Sequence, residues 1–299
     1  MDIGILSFRA LGGPIAKEER RLKQAAQAKG HKARVFRSMH CQLVYDQKGE
    51  RVFLKGKRFP KLDVLIPRAS FLNHVELRLA LVEQFELMGV PVLNHASSIA
   101  KAKNKLRTMQ ILHALGIPTL KTVVIDSYEI LDRAIDMVGG APVIIKDPFG
   151  SFGSGVMIAE SKRAVRSTLD AIWQGKSRSF MLQEFVEESG GKDTRVFVVG
   201  GKVIASMERQ AQEGEFRSNA ELGGLTQAVE VDPAFAEVAL AATEALGLDV
   251  AGVDVIQTKK GPAILEVNAN PGFKSLEEAT GVDVAGAIID HAVSKFLRS

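Results

Sequence analysis

The strongest constraint on the fold lies between residues 250 and 268. Val250–Thr258 and Pro262–Asn268 are two alternating, β-branched runs separated by Lys259-Lys260-Gly261, the signature of an antiparallel hairpin. A three-residue loop with Gly261 in the left-handed position pairs Thr258 with Pro262. Stepping back by twos sets Ile256 against Ile264 and Asp254 against Glu266, with Asn268 on the face of Glu266. Val253, Val255, Leu265 and Val267 then form an apolar opposite face. Two directly opposed carboxylates repel each other. The pattern makes sense when a hard cation sits between Asp254, Glu266 and Asn268. Mg2+ is such a cation: it takes one or two carboxylates and leaves its other positions to phosphate and water. The competing reading is an ordinary charged pair at a sheet edge.

The rest of the chain reads in two styles. In the first third, strands at Ile3–Leu6, Arg34–Phe36, Asp63–Ile66 and Val90–Leu93 alternate with helices at Ala16–Lys29 and Val75–Met88, stopped by Gly30 and Gly89. That rhythm is a parallel α/β layer. Lys105–Leu115 is a further helix, and Thr122–Ile125 an edge or linking strand. After residue 139, strands come in pairs joined by glycine-rich turns: Pro142–Lys146 with Val156–Glu160, and Arg195–Val199 with Lys202–Met207, before the hairpin at 250–268. Helices at Lys162–Trp173 and Ala234–Leu246 separate these pairs, and Val284–Phe296 is the last helix. The fold class is therefore α/β followed by α+β. At 299 residues the chain suits two domains or three small ones.

Composition excludes several classes. With 46% hydrophobic and 25% charged residues, bulk disorder is out. No stretch approaches the ~20 apolar residues that span a bilayer, and Met1–Ser7 lacks the pattern of a signal peptide. Cys41 is the only cysteine, which excludes a disulfide framework and points to a reducing cytoplasm. The net charge of +4 includes no run of five or more like charges, so an anionic substrate fits and a dedicated nucleic-acid binder does not. The six histidines lack metal-ligand spacing.

Other constellations carry weaker signals. Lys146 ends a strand, and Gly150, Gly153 and Gly155 follow it as G-x-x-G-x-G leading into another strand. This is neither a Walker loop nor a dinucleotide fingerprint, since no helix follows. It reads as a phosphate-covering hairpin whose backbone N–H groups face an anion, or as a plain flexible turn. Gln183-Glu184-Phe185 at a strand end suits an adenine edge and ribose. Parity about the turn at Gly200-Gly201 places Asp193, Arg195 and Glu208 on one face and Arg209 on the other unless a bulge intervenes. The segment from Glu213 to Asn219 is a loop in which Arg217 and Asn219 could meet phosphate or carboxylate. Lys105, at a helix start, reads most simply as a surface lysine.

Taken together, Asn104–Gln110, Met137–Pro142, the glycine loop after Lys146, Gln183-Glu184-Phe185, Glu213–Asn219, Val250–Asp254 and Glu266-Val267-Asn268-Ala269-Asn270-Pro271-Gly272 resemble the RimK family of α-L-glutamate ligases within the ATP-grasp superfamily. The resemblance implies three parts: a pre-ATP-grasp α/β domain over residues 1–98, a small domain with the glycine hairpin over 99–187, and a large domain with the metal hairpin over 188–299. It implies ATP and Mg2+ or Mn2+, as two ions, held by Asp254, Glu266 and Asn268. Lys105, Lys146, Gly153 and Gly155 would meet phosphates. Glu184 and Phe185 would hold adenine and ribose, and Asp193, Arg217, Ser218 and Asn219 would line the nucleotide site. Lys146, Arg195 and Arg209 are the catalytic candidates. The implied reaction joins glutamate to an acidic peptide or protein acceptor, such as the C-terminal glutamate of a ribosomal protein, through an acylphosphate. The implied protein is a cytoplasmic homo-oligomer, dimer or tetramer, that contacts neither membrane nor nucleic acid directly. A carrier-protein or glutamylated-cofactor acceptor, or a regulatory module without turnover, are the alternatives.

Overall fold

The structure, a computed structural model, describes every residue except 10–12, 48, 71–73, 149–154, 174–178, 213, 219–223 and 298–299. The chain begins with β1 (Asp2–Ser7), α1 (Lys17–Ala28), β2 (Lys32–Arg37), β3 (Cys41–Asp46), β4 (Gly49–Leu54), β5 (Lys57–Arg58), β6 (Val64–Arg68) and α2 (Val75–Leu87). Strands β2, β1 and β6 form a parallel sheet in that order, with Ser7 paired to both Arg37 and Arg68 at its carboxyl edge. Next come α3 (Ala96–Lys103), α4 (Lys105–Ala114), β7 (Thr122–Ile125), α5 (Leu131–Met137), β8 (Val143–Lys146), β9 (Val156–Ala159), α6 (Lys162–Trp173) and β10 (Phe180–Glu184). Their strands form an antiparallel sheet ordered β7-β10-β8-β9. The chain ends with β11 (Lys192–Val199), β12 (Lys202–Gln210), β13 (Leu225–Ala228), α7 (Pro233–Leu246), β14 (Val250–Thr258), β15 (Gly261–Asn268), α8 (Lys274–Thr280) and α9 (Val284–Phe296). Here the sheet order is β13-β12-β11-β14-β15.

The largest sheet positions the site. One face packs Val196, Val198, Val253, Val255, Ile264 and Val267 against Ala239, Ala242 and Leu246 of α7. Burying each larger aliphatic side chain there contributes roughly 1.5–3 kcal/mol. The opposite face is split. At one end Phe197, Val199, Met207 and Val250 pack with Phe273, Leu276, Ile288 and Ile289. At the other end the apolar pattern stops, and Asp193, Arg195, Arg209, Asp254 and Glu266 face the four-stranded sheet. That sheet has its own core, with Ile135, Val143, Ile145, Leu169 and Leu182 at its centre. Both cores of the large sheet, by contrast, include side chains from the first hundred residues, Leu6 and Phe36 in one and Ile3 and Ile5 in the other.

Several elements depart from expectation. Val90–Leu93 is not a strand: Val92 makes only an isolated parallel bridge to Leu65. The antiparallel β3–β4–β5 sheet, α3, α5 and α8 had no counterpart in the periodicity reading. The helices are seven or eight residues long, too short to establish a period, and α3 is held mainly by packing against its neighbours. Among the described residues no helix is long and apolar enough to cross a membrane.

Candidate active site

The hairpin that carries the candidate metal ligands is built differently from the simple ladder. Its loop has two residues, not three: Thr258 pairs with Gly261, which takes φ 111°, and the Thr258 hydroxyl donates to the Gly261 carbonyl at 2.8 Å. Ile256 therefore faces Ala263 and not Ile264. A bulge between Asp254 and Val255 then inserts one extra residue and restores Asp254 opposite Glu266. The same bulge sends Ile264 into the α7 core and turns Leu265 into the cleft, beside Ile256. The expectation for Leu265 on the apolar face is thus corrected.

A second bulge, between Phe197 and Val198, places Arg209 directly opposite Asp193 and Glu208 opposite Thr194. Glu208 leaves the face assigned by parity and pairs with Lys192 at 2.9 Å. Arg209 joins the site. It donates two bonds to Asp193, at 2.6 and 2.7 Å, and reaches Asp254 at 2.9 Å. Arg195 holds Asp254 through Nε and, at 2.9 Å, through a terminal nitrogen. The Ser218 hydroxyl donates to Asp193. The result is a buried chain of alternating charge, Ser218–Asp193–Arg209–Asp254–Arg195, with the Arg209 side chain only 4% exposed. Burial pushes the Asp254 carboxyl up, but Arg195 and Arg209 outweigh it and hold the group below its usual range.

Lysines gather opposite this network. Lys146 is 7% exposed at the end of β8, and Lys105 Nζ lies 3.4 Å from Glu266. Lys105 is therefore not the surface lysine of the simplest reading. Lys103, which the sequence reading passed over, also acts on Glu266. Burial, reinforced by Lys105, lowers Lys146 to about 8 and Lys103 to about 8, with Glu266 pulling the other way. Three ammonium groups around one carboxylate are matched to an incoming polyanion.

The inner end of the cleft is apolar, lined by Leu120, Ile144, Val156, Phe185, Val186, Ile256 and Leu265. Gln183 is 2% exposed there; its amide nitrogen donates to Thr122 at 2.9 Å, and its oxygen has no hydrogen-bond partner among the described residues. A buried orphan acceptor beside a flat apolar slot, with cations at the other end, fits a purine nucleotide. Glu184 lines the slot while one carboxylate oxygen accepts from the Lys121 amide at 2.7 Å. Arg217 lines it too, paired with Glu215 at 2.7 Å. Asn268 accepts from the Asn270 amide at 2.9 Å. Asp254, Glu266 and Asn268 share one face and carry the oxygen ligands a hard divalent ion takes, with both Asp254 oxygens also engaged by Arg195 and Arg209. Gly155 takes φ 75°, and the Asp147 amide donates to its carbonyl at 3.1 Å, closing the base of the glycine loop. Gly150, Gly153 and Asn219 lie outside the described residues.

One residue that holds this site escaped the sequence reading. Asn94 is buried and uses its whole amide: it donates to Val250 at 2.7 Å and Ala269 at 3.0 Å, and accepts from Asp249 at 2.8 Å and Val250 at 2.9 Å. It clamps the start of β14 to the residue after Asn268. A polar residue following the apolar run Val90–Leu93 was the available signal.

Two sheets facing one cleft, with Lys146 on one and Asp254 and Glu266 on the other, are the arrangement of the ATP-grasp class of proteins. Residues 1–99 match the RimK PreATP-grasp domain and residues 102–292 the RimK-like ATP-grasp domain. The chain belongs to the RimK family. It is 40% identical over 290 residues to the "Probable alpha-L-glutamate ligase" of Aliivibrio fischeri (strain MJ11), covering 97% of this chain and 94% of that one. It is 41% identical over 292 residues to the "Probable alpha-L-glutamate ligase 2" of Shewanella baltica (strain OS155), with the same coverage of 97% and 94%. The fold also matches the crystal structure of a RimK domain ATP-grasp protein from Sphaerobacter thermophilus, with TM-score 0.75, 25% identity and coverage of 97% and 99%. The ATP-grasp ligase PsnB, solved with a minimal precursor, Mg and ADP, superposes with TM-score 0.73 at 19% identity, covering 99% and 98%.

Proposed function

We propose that this protein is an ATP-dependent α-L-glutamate ligase that joins glutamate to an acidic peptide or protein acceptor, with the C-terminal glutamate of a ribosomal protein as the first candidate. The observation that carries the reading is the meeting of Lys146 from one sheet with Asp254 and Glu266 from another in one cleft, in a chain about 40% identical to α-L-glutamate ligases over nearly its whole length.

A carboxylate does not acylate an amine unaided. Transfer of the ATP γ-phosphoryl group to the acceptor carboxylate gives an acylphosphate and ADP. The glutamate amine then attacks the acyl carbon, phosphate leaves, and the amine's proton passes to solvent. Such transfer depends on positioning and charge neutralisation more than on covalent help from the protein. Asp254, Glu266 and Asn268 would hold a divalent ion, which would supply charge neutralisation when bound. Lys146 and Lys105 bind phosphate oxygens, with Gly153 and Gly155 in the covering loop. Phe185, Leu265 and Gln183 hold the base, Glu184 the ribose, and Asp193, Arg217, Ser218 and Asn219 frame the nucleotide. Arg195 and Arg209, both held by Asp254, are the cations that would hold the acylphosphate or the substrate carboxylates. The small domain, residues 99–187, closes on the large one and excludes water from the intermediate.

The test is mass spectrometry of acidic acceptors after incubation with ATP, Mg2+ and single amino acids. Added glutamyl units, with glutamate outperforming alanine, glutamine and lysine, are the expected result. Equal ligation of a neutral or basic amino acid removes the glutamate assignment and leaves an ATP-grasp ligase of another specificity.

A further inference from the structure

Arg68 is a largely buried cation whose contacts among the described residues are one carbonyl and one ring face. It ends β6, is 8% exposed, and makes one hydrogen bond, from a terminal nitrogen to the Pro271 carbonyl at 3.0 Å, while its guanidinium lies 5.6 Å from the Phe273 ring centroid. It forms no ion pair with any described carboxylate. Glu18 and Glu19 act on it only through space, and the Glu19 carboxylate is already used, accepting from the Ala16 amide at 3.0 Å. A guanidinium offers five donors, and holding its charge away from water is costly unless something pairs with it. Burial is strong enough to bring the group down to about 10.

Its position names the missing partner's side of the molecule. Arg68 sits with Arg37 and Ser7 at the carboxyl edge of the parallel sheet, where ligands of open α/β sheets bind. Pro271, which it holds, is three residues beyond Asn268 in the loop leaving the metal hairpin. The edge is therefore tied to the loop that leaves the metal hairpin, and neither Arg68 nor Pro271 is among the residues that line the adenine slot.

We propose that Arg68 is the carboxylate-binding residue of the acceptor subsite, taking in its guanidinium fork a side-chain carboxylate of the acidic acceptor other than the one activated by ATP. The inference rests on the acidic-acceptor reading above and adds the residue that recognises the acid. A purely structural Arg68, pinning Pro271, predicts no dependence on the substrate's charges.

The two roles separate in a cross-comparison. The full-length protein, loaded with Mg2+ and a non-hydrolysable ATP analogue, is titrated calorimetrically with acetyl-Glu-Glu-Glu and with peptides carrying Gln at each position in turn. Wild type is expected to lose about tenfold or more in affinity for one of the Gln peptides, the scale of one lost charge-assisted contact. Arg68→Met and Arg68→Lys are expected to bind that peptide and its parent equally, with affinity for the ATP analogue unchanged. Lysine keeps the charge and a donor for Pro271 but not the fork, so it guards against a folding defect in Arg68→Met. If the variants discriminate between the peptides as wild type does, Arg68 is structural and the ligase reading stands. If wild type binds all four peptides alike, the acidic-acceptor reading itself fails and Arg68 falls with it.

Discussion

At the scale of single residues, charge placed in a small volume governs the site. Glu266 is the carboxylate that Lys103, Lys105 and Lys146 share. Glu266→Gln keeps its volume and removes the charge facing the metal. Ligase turnover is expected to fall below detection at saturating Mg2+ while the melting temperature moves little; wild-type turnover in the variant would remove Glu266 from the ligand set. Lys146 gives a pH signature. Its ammonium is lowered from 10.5 to about 8, first by burial and then by Lys105. Phosphate in the cleft favours the charged form, so nucleotide binding near pH 8 should take up a proton. Calorimetry in two buffers of different ionisation enthalpy should show that uptake in wild type and a smaller one in Lys146→Met. The same shift has a stability consequence. Between about 8 and 10.5 the unfolded chain binds more protons at this position than the folded one, so the cost of burying Lys146 is full below pH 8 and fades as pH rises.

At the scale of elements, two one-residue bulges and one close approach decide which side chains meet. Strand β14 brings Gly252 so near the loop after the metal hairpin that a Cβ there would lie 2.7 Å from the Pro271 ring and 3.2 Å from Arg195. Neither neighbour is the loose tip of a side chain. Gly252→Ala is expected to cost about 1–3 kcal/mol and to lower turnover more than nucleotide binding, because it displaces Arg195 and the acceptor side together. Chemical denaturation with nucleotide titration reads both. Asn94 ties the same elements from beneath. Asn94→Ala leaves buried backbone groups of Asp249, Val250 and Ala269 without their partner, a loss of about 1–3 kcal/mol for each buried group left unsatisfied. An unchanged denaturation midpoint would show that the clamp is dispensable.

At the scale of the whole molecule, the cores show what moves together. Ile3, Ile5 and Leu6 are packed in clusters that also contain Phe197, Val198 and Val253, whereas the four-stranded sheet keeps a core of its own. Residues 1–98 produced alone should therefore fail to give a cooperative thermal transition, since they lose the partners of their buried face. A sharp transition in that fragment would show an independent domain. The four-stranded sheet has the opposite character and is the body expected to close on nucleotide. X-ray scattering should report a smaller radius of gyration with an ATP analogue and Mg2+ than without.

Sequence by itself determined the local features: the hairpin at 250–268, its face bearing Asp254, Glu266 and Asn268, the lysine at the end of β8, and the helices long enough to show a period. Those follow from side-chain alternation and turn chemistry within a few residues. The tertiary structure alone decided the rest. A bulge changes pairing by one residue at little local cost, so neither the two-residue turn nor the pairing of Ile256 with Ala263 could be read from alternation; the Asp254–Glu266 pairing was legible because the bulge offsets the shorter turn. The same holds for Arg209, which parity left open and the bulge at Phe197 brings across from Asp193. Lys103, Lys105, Asn94 and Arg68 take their roles from partners between 155 and 203 residues away in the chain or from other elements across the cleft. A single charged or amide side chain carries no periodicity, and its partner is set only when separate sheets share a core.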